Sequence, residues 1–104
     1  MPGELLQPAS DNMTARPRVV IYGSQTCNYC MAARMLLKKK GAVYEDVLVT
    51  ADPALREEMI RLSGRRSVPQ ILIGDMAIGG YDELHALDRA GELDQLLGIQ
   101  EDAR

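Results

Sequence analysis

The 104-residue sequence contains no tryptophan, no phenylalanine, one histidine and two cysteines. Each shortage excludes a class of function. Tyr22, Tyr29, Tyr44 and Tyr81 are the only aromatics, so there is no series of platforms on which nucleic-acid bases stack. The net charge of −3 supplies no basic surface for a phosphate backbone, and no nucleic-acid partner is expected. One histidine, His85, and two cysteines fall short of the roughly four ligands of a zinc site within one chain. No apolar run approaches the ~20 residues of a membrane-spanning helix, so no membrane partner is expected. Without large aromatics, the core must be built from Leu, Ile, Val, Met and Ala. The hydrophobic content of 46% suffices for that, and the length suits one domain.

The ends differ from the middle. Residues 1–17 hold Pro2, Gly3, Pro8, Ser10, Asp11, Asn12 and Pro17 with no sustained period. They are expected to form a flexible N-terminal tail, and residues 101–104 a C-terminal one, around a domain at 18–100. The start lacks the basic stretch and long apolar stretch of a secretory signal. Cytoplasm is therefore the expected compartment, where exposed thiols stay reduced.

Between the tails, segment types alternate. Residues 18–23 are apolar and β-branched, and read as a buried strand. Residues 28–40 read as a helix. Ala33, Leu36, Leu37 and Lys40 share a stripe with Cys30, and Met31, Arg34 and Lys38 fall on the more exposed side. Gly41 ends this helix. Residues 44–49 give a second strand, and the βαβ order makes the pair parallel. Asp52-Pro53 is an N-cap followed by a first-turn proline. Leu55, Met59, Ile60 and Leu62 form the apolar face of the next helix, which Gly64 closes. Strands at 70–73 and 76–78 flank a hairpin turn at Gly74-Asp75. Gly79-Gly80 breaks the chain before helices at 81–90 and 92–97. The order β-α-β-α-β-β-α predicts an α/β domain, with an open four-stranded mixed sheet flanked by helices on both faces.

Cys27 and Cys30 stand in Thr26-Cys27-Asn28-Tyr29-Cys30, between the first strand and the first helix. A helix start offers unpaired N–H groups and the positive end of the helix dipole, and both favour a thiolate. The spacing lets the second sulfur reach back to the first. A structural disulfide suits small secreted scaffolds with several bridges. A single pair at a strand–helix junction reads instead as a thiol–disulfide device.

Three elements in order carry a family resemblance. They are Cys27-Asn28-Tyr29-Cys30, then Gly64-x-x-Ser67-Val68-Pro69-Gln70, then Ile78-Gly79-Gly80-Tyr81-Asp82-Glu83-Leu84. The chain resembles the glutaredoxins, and most of all their short dithiol bacterial type, from about Arg18 to Gly98. The resemblance implies a thioredoxin-like fold, with Cys27 as nucleophile and Cys30 as resolving thiol. It implies a cis bond between Val68 and Pro69 that opens the Val68 backbone to an extended, peptide-like substrate. It also implies a glutathione site made by Tyr29, Arg56, Ser67, Val68, Pro69, Gly80, Tyr81 and Asp82. Asp82 would take the amine of the γ-glutamyl end, the helix-start amides its carboxylate, and Arg56 the glycine carboxylate. Read without the resemblance, Gly79-Gly80 with Asp82 serves equally as a plain turn with a helix cap. Arg65 and Arg66 either add positive potential at the Ser67-Val68-Pro69 turn or are simply solvated. His85 reads as an ordinary helix residue.

The function so implied is glutathione-dependent reduction of protein–glutathione mixed disulfides and protein disulfides by a monomer with no bound cofactor. Two alternatives stand beside it. One is a dimer bridging a [2Fe–2S] cluster through Cys27 of each protomer and glutathione. The other is a thioredoxin-like reductant fed by a flavoprotein reductase. Two departures from the family pattern bear on reactivity. Ser24 stands where relatives often carry Lys or Arg, and weaker thiolate stabilisation is expected from it. Asn28 replaces the proline common between the cysteines, which would fix φ.

Overall fold

The computed structural model describes residues 17–98, so the expected tails, apart from Pro17, lie outside the described residues. The described residues form four strands: β1 (Val19–Gly23), β2 (Glu45–Leu48), β3 (Gln70–Ile73) and β4 (Met76–Gly79). Four helices accompany them: α1 (Asn28–Lys39), α2 (Pro53–Ser63), α3 (Tyr81–Arg89) and α4 (Leu93–Leu97). Types and order match those expected from the sequence, with ends that differ by one or two residues.

The sheet runs β2-β1-β3-β4. All five residues of β1 are buried, as suits a β-branched strand covered on both faces. β2 pairs with it in parallel, Tyr22 opposite Val47, and β3 antiparallel, Ile21 opposite Ile71. The period of two in β1 then divides the core. Val19 and Ile21 join Ile71, Ile73, Ala33, Leu37, Leu84, Leu93 and Leu97 on the face covered by α1, α3 and α4. Val20 and Tyr22 join Leu72, Val49 and Met59 on the face covered by α2. Burying an aliphatic side chain such as Leu37 or Ile21 contributes on the order of 1.5–3 kcal/mol, so β1 anchors both layers.

β4 runs one residue further than the sequence suggests. The β3–β4 register shifts at Ile71/Leu72, and Gly79 takes φ +116° there, a conformation that L side chains rarely adopt. That kink turns the chain directly into α3, which begins at Tyr81.

Two side chains depart from the expected faces, Leu62 and Arg34. Leu62, assigned to the apolar face of α2, is exposed, and Leu55 and Ile60 but not Leu62 pack against the cluster around Met59. Lys40 stays on the stripe of Cys30 as expected and ends there in an ion pair, its Nζ 2.6 Å from Asp88 and 3.0 Å from Asp94. It ties the end of α1 to α3 and α4. Arg34, assigned to the exposed side of α1, keeps only 15% of its side chain exposed. The reason lies at the active site.

Candidate active site

Cys27 is the N-cap of α1, with extended backbone at φ −86° and ψ 122°. Its sulfur occupies the place of a capping hydroxyl and accepts the backbone N–H of Cys30 at 3.3 Å. Burial by itself raises the Cys27 thiol. Donation from the Cys30 thiol and from the backbone N–H groups of Cys30 and Tyr29, with the charge of Arg34, outweighs that and holds it below the ordinary thiol value. Cys30 lies one helical turn further on and is fully buried. Burial pushes its thiol up to about 11, with the Cys27 sulfur adding to the rise and the Ser24 backbone and Arg34 opposing it. Both cysteines are free thiols. The pair is thus split into an accessible, easily ionised sulfur and a buried, protonated one. That split is the division of labour that thiol–disulfide exchange needs, because the attacking species is the thiolate.

Two residues around the sulfurs, Gly23 and Arg34, escaped the sequence reading. Gly23 ends β1 directly against Cys30: a Cβ added there would lie 2.7 Å from the Cys30 Sγ. Ser24 is buried and carries no cation, as the sequence shows, but its carbonyl accepts from Arg34 Nη2 at 3.0 Å. Arg34 also lies 3.0 Å from Asp46 on β2, through Nε. The positive charge missing at position 24 therefore enters from the helix. The signal available in the sequence was the i+4 step from Cys30 to Arg34, which places both on neighbouring turns of one helix.

The facing wall is the Ser67-Val68-Pro69 turn. The Val68–Pro69 bond is cis, as the resemblance implied, and the Cys27 thiol faces the Val68 carbonyl at 3.9 Å. Beside it opens a cleft of about 280 Å³. Tyr29, Ser67, Val68, Pro69, Gly80, Tyr81 and Asp82 line it, together with Arg65, Gln70 and Glu83. Seven of the eight residues expected at a glutathione site are thereby brought to one concavity. The eighth, Arg56, does not line it; exposed on α2, it donates to the Arg66 carbonyl at 2.8 Å. Of the two arginines left open by the sequence, Arg65 reaches the cleft. Its guanidinium meets Glu83 at 3.3 Å. Tyr29, Tyr81 and His85 form a row of stacked rings, with centroids 6.1 and 5.5 Å apart. His85 is thus a helix residue packed on a ring, as expected.

Glu83 was not singled out in the sequence, although it stands three residues after Gly80 in the pattern of a capping box. Its carboxylate accepts the Gly80 N–H at 2.8 Å and is held below the usual carboxylate range, first by that bond and, among further contributions, by Arg65. Gly80 has no capping side chain of its own, so Glu83→Ala should cost about 0.5–2 kcal/mol by denaturant unfolding. The sign with pH follows. The contribution is complete above the carboxylate's unfolded pKa and fades as pH falls through the lower folded value. A Glu83→Ala protein that lost as much stability at pH 3 as at pH 7, relative to the parent, would show that the carboxylate is not the source.

Comparison with known proteins shows the family. The family model described as Glutaredoxin matches residues 19–78. A glutaredoxin of Pseudomonas aeruginosa is 48% identical over 81 residues, covering 78% of this chain and 96% of its own. Glutaredoxin 3 of Escherichia coli is 49% identical over 79 residues, covering 76% and 95%. Among solved structures, the glutaredoxin of Brucella melitensis superposes with a TM-score of 0.72 at 42% identity, over 84% of this chain and 95% of that one. A buckwheat glutaredoxin–glutathione complex gives 0.71 at 28% identity, over 88% and 84%. The four-stranded mixed sheet is a thioredoxin-like fold. With its ionisable sulfur at the helix start, its buried partner and the cis-proline wall, the chain belongs to the glutaredoxin family and is a thiol–disulfide oxidoreductase.

Proposed function

We propose that this oxidoreductase is glutathione-dependent and reduces protein–glutathione mixed disulfides, with Cys27 as the exchanging sulfur. The supporting observation is the cleft beside Cys27, whose lining pairs the start of α3 with the Ser67-Val68-Pro69 turn. In this reading the Cys27 thiolate attacks the glutathione sulfur. The protein thiolate leaves and takes up a proton, and Cys27 becomes glutathionylated. A second glutathione thiolate attacks that adduct, so oxidised glutathione departs and the Cys27 thiolate returns. Protein disulfides take the other branch, in which Cys30 resolves the mixed disulfide on Cys27.

The residues of the cleft have matching roles. The Tyr81 and Asp82 amides at the start of α3 suit the γ-glutamyl carboxylate, and the Asp82 carboxylate suits its ammonium. The Ser67, Val68 and Pro69 turn offers backbone to the extended tripeptide, and Tyr29 covers it from the sulfur side. Arg56 keeps further N–H donors for the glycine carboxylate beyond the one given to Arg66. The partners are glutathione and glutathionylated or disulfide-bearing proteins. A cytoplasmic setting and a monomeric state complete the proposal. Among the described residues no helix is long and apolar enough to cross a membrane. Neither a cluster-bridging dimer nor a flavoprotein-fed reductant has a specific observation in its favour.

The test is glutathione-coupled turnover of a small mixed disulfide. Asp82→Ala and Arg56→Ala should each raise the KM for the glutathionyl substrate, by about three- to tenfold for a charged contact at a partly exposed site. Both should leave the fold and the ability of Cys27 and Cys30 to form a disulfide intact. Unchanged kinetics in both variants would return this corner to a plain turn and cap. Absence of turnover in the parent protein would end the glutathione reading.

A further inference from the structure

The resolving branch poses a physical problem. Cys30 must ionise before it attacks, yet it is fully buried and its thiol stands at about 11. When Cys27 is held in a mixed disulfide it no longer carries charge, so the upward push from its thiolate is gone. The burial penalty remains. An ionised sulfur in that position needs a cation beside it.

Arg34 is placed for this. A single point beside Gly23 lies 2.7 Å from the Cys30 Sγ and 3.4 Å from Arg34 Nη2, so the guanidinium and the buried sulfur border the same space beside that glycine. Two contacts fix it there: the Ser24 carbonyl on Nη2 at 3.0 Å, and the Asp46 carboxylate 3.0 Å from Nε. The Nε is buried and finds no well-directed hydrogen bond, so Asp46 restrains the group by charge more than by a directed bond. The groups facing Cys30 are thus Arg34 from its own helix, Asp46 through Arg34 from β2, Cys27 at the helix start, and the backbone of Gly23 and Ser24 after β1. The charge of Arg34 favours ionisation of both sulfurs.

We propose that Arg34, clamped by Asp46 and the Ser24 carbonyl against the Gly23–Cys30 contact, is the counter-charge of the resolving step. In that step the Cys30 thiol gives its proton to solvent and its thiolate attacks the Cys27 sulfur. The Cys27–Cys30 bond forms, the bond from Cys27 to the substrate sulfur breaks, and the substrate thiolate leaves and is protonated. The dithiol is oxidised and the substrate disulfide is reduced. Arg34 thereby serves the dithiol branch above the monothiol one. This rests on the Cys27–Cys30 chemistry and not on glutathione recognition.

The two branches separate in one experiment with Ellman's reagent, an aromatic disulfide. One equivalent mixed with the reduced protein releases a first thiolate when Cys27 attacks and a second when Cys30 resolves the adduct. Arg34→Met keeps the apolar stem and removes the charge. A rise of about one to two pKa units lowers the Cys30 thiolate fraction by that many powers of ten, and its greater nucleophilicity returns about half of the loss on a logarithmic scale. The second release should therefore slow about three- to tenfold at neutral pH, with its pH midpoint raised, and the first release should slow less. Arg34→Lys restores the charge without the forked contacts and should recover most of the second rate. Three outcomes overturn the proposal: an unchanged second release in Arg34→Met, equal slowing of both releases, or Arg34→Lys as slow as Arg34→Met with both variants folded. The last outcome would make Arg34 a strut between α1 and β2. None of these depends on glutathione turnover, so the proposal and the glutathione reading stand or fall separately.

Discussion

Cys27→Ser is expected to abolish thiol–disulfide exchange, down to the rate of the uncatalysed reaction, while Cys30→Ser keeps the monothiol part. The difference follows from position. Cys27 caps α1 with its sulfur toward the Val68 carbonyl and the cleft, whereas Cys30 is closed off beneath it. Loss of a nucleophile costs several orders of magnitude, and a hydroxyl at the same place is far less acidic than a thiol. Cys30→Ser removes the thiol that donates to the Cys27 sulfur, so the Cys27 pKa should rise, but the backbone N–H bonds that also lower it remain. Cys27 alkylation in Cys30→Ser should therefore still titrate below the free-thiol value of about 8.5. Turnover of a small mixed disulfide should fall by no more than about tenfold in Cys30→Ser. Reduction of a protein disulfide, which needs the second sulfur, should fall much further. Activity surviving in Cys27→Ser and lost in Cys30→Ser would reverse the assignment of the two sulfurs.

How far the sequence carries the reading depends on the reach of the interaction concerned. Elements were legible because their signals are local. The β-branched run of β1, the Asp52-Pro53 start of α2 and the Gly74-Asp75 turn each act within a few residues. The Asp52 cap is present as read, accepting the Ala54 N–H at 2.9 Å. The cleft was legible for another reason: its parts are short motifs at fixed spacing in a family whose fold brings them together. What remained hidden depends on which side chains cross between elements. Arg34 is polar at a position that helix periodicity assigns to solvent, but Asp46 on the neighbouring edge strand and the Ser24 carbonyl turn it inward. No pattern within α1 contains Asp46. Lys40 keeps to its expected stripe, but its partners on α3 and α4 were hidden in the same way. The absence of a cation at position 24 was read correctly. The Cys27 thiol is still held below its ordinary value, by donation from Cys30 and the Tyr29 N–H and by the charge of Arg34, which reaches it through space and not along the chain.

Gly23→Ala should destabilise the domain although it adds only a methyl group. Gly23 ends β1, and its carbonyl accepts the Val49 N–H at 2.9 Å. Its backbone requires no left-handed conformation, so an alanine is allowed in φ and ψ and would even lose less entropy on folding, by about 0.4–1 kcal/mol. The obstacle is space. The new methyl would lie 2.7 Å from the Cys30 Sγ, 3.2 Å from its Cβ and 3.4 Å from Arg34 Nη2. Cys30 cannot swing away, since it is fully buried on a helix whose Ala33 and Leu37 are locked into the core. Either α1 lifts from the sheet or the sulfur leaves its position. Overpacking of this kind costs about 1–3 kcal/mol, and each kcal/mol lowers the melting temperature of a domain this size by roughly 4–8 °C. The displaced Cys30 should also resolve the Cys27 adduct more slowly, while the first attack by Cys27 is less affected. A double-mutant cycle isolates the cause. Cys30→Ala deletes the closest of the three contacts, so Gly23→Ala should cost clearly less stability in that background than in the parent. An equal cost in both backgrounds would show that the Gly23–Cys30 contact is not what keeps this position glycine.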